Sequence, residues 1–422
     1  MKWMTGCACL LLMTTPARPA ERAPAAVSAE AVEALLARIE KLEKRVAELE
    51  NGGHGNGPAT ISAAKTAAAP PQQAATVQQE HHAAAQGSDP APAQPALKIA
   101  GFSDFNFAAT DQRGVRSGFT SGQLALHTST VLSPRVSVFG EISFSARTDA
   151  GTGSPAATGF NAEVERLLIR FDQSDYFKVS FGRYHTPVNW WNTYYHHGQW
   201  LQTSISRPEM TRFGGTFIPV HFIGGLIEGA APAGGLNLNY NVGIGNGRGN
   251  VISRGGDAGD NNNSRAWLVN LFVKPDRVYR LQAGGSVYRD RINVGARSFN
   301  EWITSGHLVW QKETPEIIAE AANVNHSEEG RPGSFNSQAY YVQLGYRLPW
   351  GQKLWKPYYR FEYIHIPAAN PVFAGVSGLA GSVVGMRYDI SSFAALKAEY
   401  RNQRRPGLPR INGGFLQTSF TF

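Results

Sequence analysis

The chain has 422 residues, a formal net charge of +8 and only 17% charged residues. It has no uninterrupted apolar stretch of about 18 residues, which excludes a transmembrane helix. The mean hydropathy of −0.27 leaves two classes open, a soluble all-β protein and a transmembrane β-barrel, because only alternate residues of a barrel strand face lipid.

Residues 1–25 are predicted to be a signal peptide. Residues 5–13 form a short apolar core, and residues 23–25 offer a small-x-small cleavage site, with residues 15–17 as the alternative. Both cysteines, Cys7 and Cys9, lie in this segment. The mature chain is therefore expected to contain no thiol and no disulfide.

Residues 26–50 are predicted to form a coiled-coil helix. Apolar residues recur at alternating intervals of three and four, at Val32, Leu35, Ile39, Leu42, Val46 and Leu49. β-Branched residues at the a positions with Leu at d favour a dimer. The pattern Arg-h-x-x-h-Glu, where h is apolar, occurs over 38–43 and again over 45–50, and it is similar to the signature of parallel trimeric coiled coils. A trimer is therefore the preferred interpretation, with a dimer as the alternative.

Residues 51–96 are rich in Gly, Ala, Pro, Gln and Thr and poor in large apolar residues. Such a segment cannot bury a core, so it is predicted to be a disordered linker. Its histidines, His54, His81 and His82, are interpreted as solvated side chains and not as metal ligands.

Residues 97–422 alternate between apolar and polar side chains in segments of about ten residues, as barrel strands do. Over 136–147, for example, Val138, Ile142 and Phe144 face one way, whereas Glu141 and Ser143 face the other. This pattern predicts about sixteen strands, over 97–109, 118–132, 135–147, 162–173, 176–185, 218–230, 235–245, 265–274, 278–290, 298–311, 315–325, 337–348, 356–366, 378–388, 392–402 and 413–422.

The connections between these strands alternate in length. Tight turns such as 133–134 and 173–175 alternate with long polar segments such as 186–217 and 246–264. This alternation is typical of a transmembrane antiparallel β-barrel. An even strand number places both barrel ends on the periplasmic side, where the coiled coil is expected. The last strand ends in Phe422 and is similar to the signal recognised by the bacterial barrel-insertion machinery.

Strand parity directs charged side chains of both signs into the barrel. The predicted pore-lining residues are Arg147, Arg166, Arg170, Arg280, Arg347, Arg360, Arg401, Glu141 and Glu362, and Lys178, Lys397, Glu301, Glu399 and Asp290 share their inward faces. A hydrated lumen tolerates such charges, and sixteen strands enclose more space than side chains fill. The interior is therefore expected to be an aqueous channel, although many of these charges are equally well interpreted as ion pairs that brace the wall.

The longest connection, 186–217, is rich in aromatic residues. Its constriction-loop candidates are Trp190, Trp191, His196, His197, Arg207 and Arg212. The alternatives are a loop that folds inward and narrows the pore, and a surface loop that contacts a neighbouring subunit or lipopolysaccharide. The adjacent His196 and His197 are not predicted to bind metal, because no carboxylate pattern accompanies them.

Three stretches resemble the phosphate-selective porin O and P family. They are Val164-Glu165-Arg166, residues 179–187 with Gly182-Arg183 and Pro187, and residues 240–247, which end in Asn-Gly. The resemblance implies a trimeric channel of sixteen strands, in some members with an N-terminal coiled coil. The family's phosphate channels use constrictions rich in Lys and Arg, whereas loop 186–217 contains two arginines and no lysine.

The sequence therefore predicts a porin of the bacterial outer membrane that lets small hydrophilic solutes diffuse passively. Residues 97–422 hold 32 Lys and Arg against 23 Asp and Glu, which favours weak anion preference, with phosphate among the candidate solutes, and contact with anionic lipopolysaccharide. Arg166 and Arg170 are the residues chosen to test that preference. A homotrimer is expected, and no cofactor, nucleic-acid partner or catalytic motif is predicted. The alternative function is a structural tether from the outer membrane to the cell wall through the coiled coil.

Overall fold

The computed structural model of the chain describes residues 95–115, 117–147, 149–153, 158–212, 217–231, 234–253, 256–257 and 259–422. The predicted signal peptide and coiled-coil helix, and all but the last two residues of the predicted linker, lie outside the described residues. Among the residues described, no helix has both the length and the apolar character needed to cross a membrane.

Sixteen strands form one antiparallel sheet, and the sheet closes because β1 pairs with β16, for example through Phe102 opposite Thr421. This closure confirms the predicted 16-strand antiparallel β-barrel. The strands are β1 Lys98–Thr110, β2 Gly118–Ser133, β3 Val136–Ala146, β4 Phe160–Ser174, β5 Phe177–His185, β6 His221–Ala231, β7 Leu238–Asn246, β8 Arg265–Val273, β9 Leu281–Val294, β10 Arg297–Gln311, β11 Glu316–Glu328, β12 Phe335–Gly345, β13 Trp355–His365, β14 Leu379–Asp389, β15 Ala394–Arg404 and β16 Ile411–Thr421.

Helices are short and lie between strands. The connection from β5 to β6 contains α1, Trp190–Tyr194, and two 3-10 helices, Gln199–Leu201 and Glu209–Thr211. Two further 3-10 helices, Gly234–Leu236 and Gly351–Lys353, lie in turns.

The two ends of the barrel differ in their connections. At the turn end, where β1 begins and β16 ends, β2 and β3 are joined by residues 134–135 and β4 and β5 by residues 175–176. At the opposite, loop end, residues 186–220 and 247–264 connect neighbouring strands. One loop-end connection is short: Gly295, with φ 59°, turns β9 directly into β10. For this reason β9 extends to Val294, beyond the predicted end at residue 290.

The outer surface of the barrel is apolar. Large side chains at outward positions remain exposed around the whole circumference, including Phe105, Leu167, Phe181, Ile244, Leu308, Leu344, Val384 and Leu416. A belt of alternate apolar residues facing outward is the surface that a transmembrane barrel presents to lipid.

The inward face is not uniformly polar. Along β8–β12 it carries buried apolar side chains that form one cluster, among them Leu268, Ile292, Phe299, Ile303, Val309, Ile318 and Tyr341. These side chains pack against Trp190, Trp191 and Met210 of the long β5–β6 connection. The expectation of a polar, water-filled interior is wrong for this part of the wall, because a chain segment fills the space that the strands enclose.

Candidate functional site

The long connection after β5 folds into the barrel, and its described residues 186–212 are called the inner loop below. Most of its side chains are buried, and its backbone is bound by inward-facing residues of β11, β13, β14 and β15. Asn192 ties the two ends of the connection together, because its side-chain amide donates to the carbonyl oxygens of Thr186 (2.8 Å) and Pro219 (3.2 Å).

Helix α1 begins against a carboxylate from the opposite wall. Asn189, which precedes the helix, makes no capping hydrogen bond through its side chain. Instead Glu320 on β11 accepts the backbone N–H groups of Trp190 and Trp191, the latter at 2.9 Å. Its second oxygen accepts the Tyr341 hydroxyl at 2.9 Å. Glu320 thus satisfies donors that a helix start otherwise leaves unpaired.

The middle of the inner loop is held by a buried Arg and a buried Glu. Arg360 donates to the Ser206 carbonyl oxygen at 2.8 Å and to the Ser204 hydroxyl at 3.0 Å, and it pairs with Glu362 at 2.9 Å. Glu399 accepts the backbone N–H groups of Ile205 (2.9 Å) and Ser206 (3.2 Å). These predicted inward charges therefore position the loop and do not line open water.

Two cations of β14 and β15 fix the next segment. Arg387 donates to the carbonyl oxygens of Trp200 (2.6 Å) and Gln202 (2.9 Å), and Lys397 donates to that of Ser204 at 3.3 Å. Lone backbone carbonyls buried in a barrel are costly unless they are paired. Cations on the wall satisfy these carbonyls here, so the loop has a defined place.

Four histidines meet where the inner loop contacts β4, β5 and β6. The rings of His185 and His196 lie 3.7 Å apart between centroids, and His197 and His221 lie beside them. Glu165 on β4 faces three of these rings, with its oxygens 3.7 Å from His196 Nε2, 3.2 Å from His197 Nε2 and 2.9 Å from His221 Nε2. Burial lowers the pKa of His196 well below its ordinary value, so this imidazole is neutral near pH 7.

A β-bulge explains why Glu165 is present in the lumen. The pairing of β3 with β4 shifts between Glu141 and Ile142, which face Arg166 and Val164 respectively. Glu165 is therefore the extra residue, and both Glu165 and Arg166 point inward. Strict alternation places only Arg166 inward, so it does not predict an inward Glu165. The prediction that His196 and His197 do not bind metal rested on the absence of a carboxylate pattern near them in the sequence, whereas the fold brings Glu165 beside both rings.

A cavity of about 760 Å³ lies on the turn-end side of the inner loop. Side chains of β3 to β10 line it, and Trp190 and Tyr194 of the inner loop form one wall. Its charged lining consists of four basic residues and two acidic ones, namely Arg166, Arg170, Lys178, Lys274, Asp175 and Glu228. The balance of charge in this cavity is positive.

Most of these cations are engaged by carboxylates. Arg166 pairs with Glu141 and lies over the Phe139 ring, with 4.4 Å to its centroid. Arg170 pairs with Asp172 at 2.7 Å. Pairing reduces the field that a passing ion experiences, so the cavity is less basic than its composition indicates.

Three predicted pore-lining arginines do not lie on strands. Arg147 follows β3 at the loop end and pairs with the exposed Asp149. Arg280 lies in the turn before β9 and stacks over Tyr279 at 5.1 Å. Arg347 follows β12 at the turn end and pairs with Glu313 at 3.1 Å. The predicted strands 278–290 and 337–348 extended too far into these turns.

The remaining predicted residues are in different places. Arg401 is inward and lies over the Phe415 ring at 3.6 Å. Arg207 is inside the barrel, where it donates to the Thr211 carbonyl oxygen at 3.0 Å, and burial lowers its pKa to about 9. Arg212 is more than half exposed and contacts Glu209 at 3.4 Å.

A second buried network lies nearer the loop end. Arg248, in the connection after β7, pairs with Glu301, and its backbone N–H donates to Asp290 at 2.7 Å. His326 contacts Glu301 at 2.7 Å. The inward carboxylates Glu301 and Asp290 were predicted from strand parity, whereas Arg248 was not, because no periodicity marks a loop residue that inserts into a barrel.

No protein-family model matches the chain, and no curated protein matches it. Among solved structures, it is similar to an anion-selective porin from Comamonas acidovorans, with 13% identity over 78% of this chain and 100% of that chain, at a TM-score of 0.57. The outer membrane channel DcaP of Acinetobacter baumannii shows 12% identity over 78% of this chain and 97% of that chain, at a TM-score of 0.54. OmpF of Salmonella typhi, in complex with daunomycin, shows 11% identity over 77% and 97%, at a TM-score of 0.53. At these identities the likeness establishes the fold that they share, a porin-type barrel.

Proposed function

We propose that this protein is a passive channel of the bacterial outer membrane for small hydrophilic solutes, with no enzymatic activity. One observation carries the proposal: a closed barrel with an apolar outer belt contains a polar, charged cavity of about 760 Å³. A lipid-facing wall around a hydrated interior has the construction of a porin. The inner loop then sets the size limit for solutes, because it lies inside the barrel and forms one wall of the cavity.

Weak anion preference follows from the charge of the cavity. The cavity is lined by four basic side chains and two acidic ones, so its electrostatic field attracts anions, phosphate among them. The low-dielectric wall focuses this field into the cavity. Pairing of Arg166 and Arg170 with carboxylates limits the effect. One of the similar solved structures is described as an anion-selective porin, which agrees with this preference.

The surroundings proposed for the channel follow from its surface and its predicted N-terminus. The apolar belt fits outer-membrane lipid, with lipopolysaccharide at the loop end. A homotrimer is proposed from the doubled coiled-coil pattern of 38–50, with the coiled coil in the periplasm. Membership of the phosphate-selective porin O and P family is kept as a hypothesis that rests on the motifs around Glu165-Arg166 and Gly182-Arg183.

Planar bilayer recordings test the channel directly. Purified full-length protein is expected to give ohmic conductance steps, and in a salt gradient the zero-current potential should be displaced towards the value for anions. The displacement should grow as salt is lowered, because the Debye length is about 8 Å at physiological salt and longer in dilute buffer. Absence of conductance from protein that shows the heat-modifiable gel shift of a folded barrel contradicts the proposal.

A further inference from the structure

We propose that the histidine cluster binds a divalent transition-metal ion such as Zn²⁺ through His196, His197 and Glu165, with His185 as the fourth ligand. This site would join the inner loop to strands β4 and β5. It does not depend on whether the barrel conducts, so its test and the test of the channel succeed or fail separately.

The donor atoms are already close together. One ligand atom from each of Glu165, His196 and His197 lies within 4.8 Å of the other two, and the same holds for Glu141, His185 and His197. Zn–N and Zn–O bonds of about 2.0–2.1 Å in a tetrahedron place ligand atoms roughly 3.3 Å apart. His197 Nε2 lies 3.2 Å from Glu165 Oε1, close to that spacing, and His196 Nε2 lies 3.7 Å from the second oxygen, Oε2.

The hydrogen bonds of His197 direct a lone pair at this point. Its Nδ1 contacts the Gln123 side-chain oxygen, which can only accept, so Nδ1 carries the proton. Its Nε2 therefore faces a Glu165 oxygen at 3.2 Å, which places both atoms where the ligands of one ion would lie.

His185 supplies an independent indication. It is only 5% exposed, and within the described part of the chain neither of its ring nitrogens has a hydrogen-bond partner. Its Nε2 lies 3.4 Å from a Glu141 oxygen, and its ring stacks on His196. A buried imidazole normally uses at least one nitrogen in a hydrogen bond. Metal coordination gives His185 a partner that no described side chain provides in good geometry.

His221 has a different role in the cluster. Arg183 donates to its Nδ1 at 2.9 Å, so Nε2 carries the proton and faces a Glu165 oxygen at 2.9 Å. A protonated ring nitrogen beside a ligating carboxylate favours one direction of that ligand, as outer-shell groups do in metal sites. His221 is therefore a positioning residue, and Glu165 retains its other oxygen for the ion.

The surrounding charges allow a dication. The acidic groups around the cluster outnumber the basic groups by one, and they are Glu141, Glu163, Glu165 and Asp257 against Arg166, Arg183 and Arg207. Imidazole with carboxylate suits Zn²⁺, Ni²⁺ and Cu²⁺, whereas Ca²⁺ and Mg²⁺ prefer shells of oxygen ligands.

The test measures bound metal in full-length protein purified without a polyhistidine tag. After treatment with chelator, exposure to Zn²⁺ and dialysis, the wild type is expected to retain about one ion per chain. The double variant H196N/H197N should lose at least roughly tenfold in affinity. The matched control is H307N, which removes a buried lumen histidine whose Nε2 contacts Gln282 at 3.0 Å, away from the cluster. H307N should bind as the wild type does.

Two further measurements test the metal site if the double variant does not fold. The milder variant E165Q should weaken binding by removing the charge. Wild-type protein loaded with Cu²⁺ should show nitrogen hyperfine coupling in its electron paramagnetic resonance spectrum. Equal zinc binding by the wild type and H196N/H197N overturns the proposal, because it would mean that other residues, such as His54, His81 and His82, bind the ion. A wild type that retains no zinc overturns it as well.

Discussion

At the residue scale, the lumen is a set of charged groups most of which have a specific partner. Arg166 and Arg170 were selected from the sequence as determinants of anion preference, yet each is paired with a carboxylate. Reversing their charge would leave two or more carboxylates together and would disturb the wall. Lys274 also lines the cavity, but it is exposed and packs near the rings of Tyr194 and Phe272, at 5.9 and 5.4 Å.

Lys274→Glu is therefore the better test of anion preference. We expect the zero-current potential in a salt gradient to move towards cations, because the change removes a positive charge and adds a negative one beside the solute path. The matched control is Lys312→Glu, the same change in an exposed turn outside the cavity. Equal shifts for the two variants would mean that Lys274 does not face the path of the ions.

The contribution of Glu313 to the stability of the turn end depends on pH. It lies between β10 and β11 and contacts Lys356 at 2.9 Å and Arg347 at 3.1 Å. These cations outweigh burial and lower the pKa of Glu313 to about 2 from 4.5. A lowered pKa means that the ionised form stabilises the folded state. This contribution is complete above about pH 4.5 and is lost as the pH falls towards 2.

Resistance to urea, followed by the heat-modifiable gel shift, should therefore decline for the wild type between pH 5 and about pH 2. Glu313→Gln should be less stable than the wild type at pH 7 and should lose less on acidification, because its amide does not titrate. Parallel pH profiles for the two proteins would contradict the assignment.

At the element scale, the inner loop behaves as a core built inside a barrel. Its backbone is held by buried side chains of the wall, and its aromatic residues pack on the apolar face of β8–β12. Glu399 is central to this arrangement because it accepts two backbone N–H groups and the Tyr358 hydroxyl (2.8 Å) and pairs with Arg401. Loop and barrel should therefore unfold together.

Glu399→Ala should lower the free energy of unfolding by about 3–5 kcal/mol, the usual result of removing one partner of a buried pair. Glu399→Gln should cost less, because its amide oxygen still accepts hydrogen bonds. The control is Glu329→Ala, which breaks a partly exposed pair with Arg291 and should change stability by no more than about 1 kcal/mol. Urea denaturation in detergent micelles measures all three, and a Glu399→Ala value near that of the control would contradict this role.

The start of the inner loop can be tested separately through conduction. Glu320→Ala leaves the N–H groups of Trp190 and Trp191 without their acceptor, which costs about 1–3 kcal/mol for each buried donor. The loop should then fluctuate, and open-channel noise in bilayer recordings should increase. Glu320→Gln keeps an acceptor oxygen, so its open-channel noise should equal that of the wild type. Increased noise in both variants, or in neither, would contradict the role of Glu320 in holding the start of the inner loop.

At the scale of the whole molecule, a closed barrel satisfies every strand edge and needs no partner chain to complete its sheet. The proposed trimer would therefore form either through contacts between barrel walls or through the predicted coiled coil of 26–50. The two possibilities predict different behaviour when the N-terminal segment is removed.

Native mass measurement of the full chain is expected to give three copies. Removal of 26–96 should leave a folded barrel, recognised by its gel shift. Conversion to monomers would assign assembly to the coiled coil, and a persistent trimer would assign it to the walls. A monomeric full-length chain would contradict the trimer prediction.

The sequence by itself determined the barrel. Along a half-buried strand, a period of two assigns each side chain to one face of the sheet. Each of the sixteen predicted strands therefore corresponds to an observed one, and the errors lie at strand ends such as Arg280 and Arg347. It also placed Arg360, Glu362 and Glu399 inward, because their parity is unbroken.

Only the tertiary structure decided what fills the barrel. The path of residues 186–212 depends on contacts with β11 to β15, more than a hundred residues away, such as those of Glu320 and Arg360. No local pattern encodes such contacts. The bulge at Glu165 depends on the register between β3 and β4. Alternation alone directs Glu165 to the lipid face, whereas the bulge places its carboxylate inside the barrel, among the clustered histidines. Periodicity specifies the wall of a barrel, whereas the placement of a loop within it is specified by long-range pairing of polar groups.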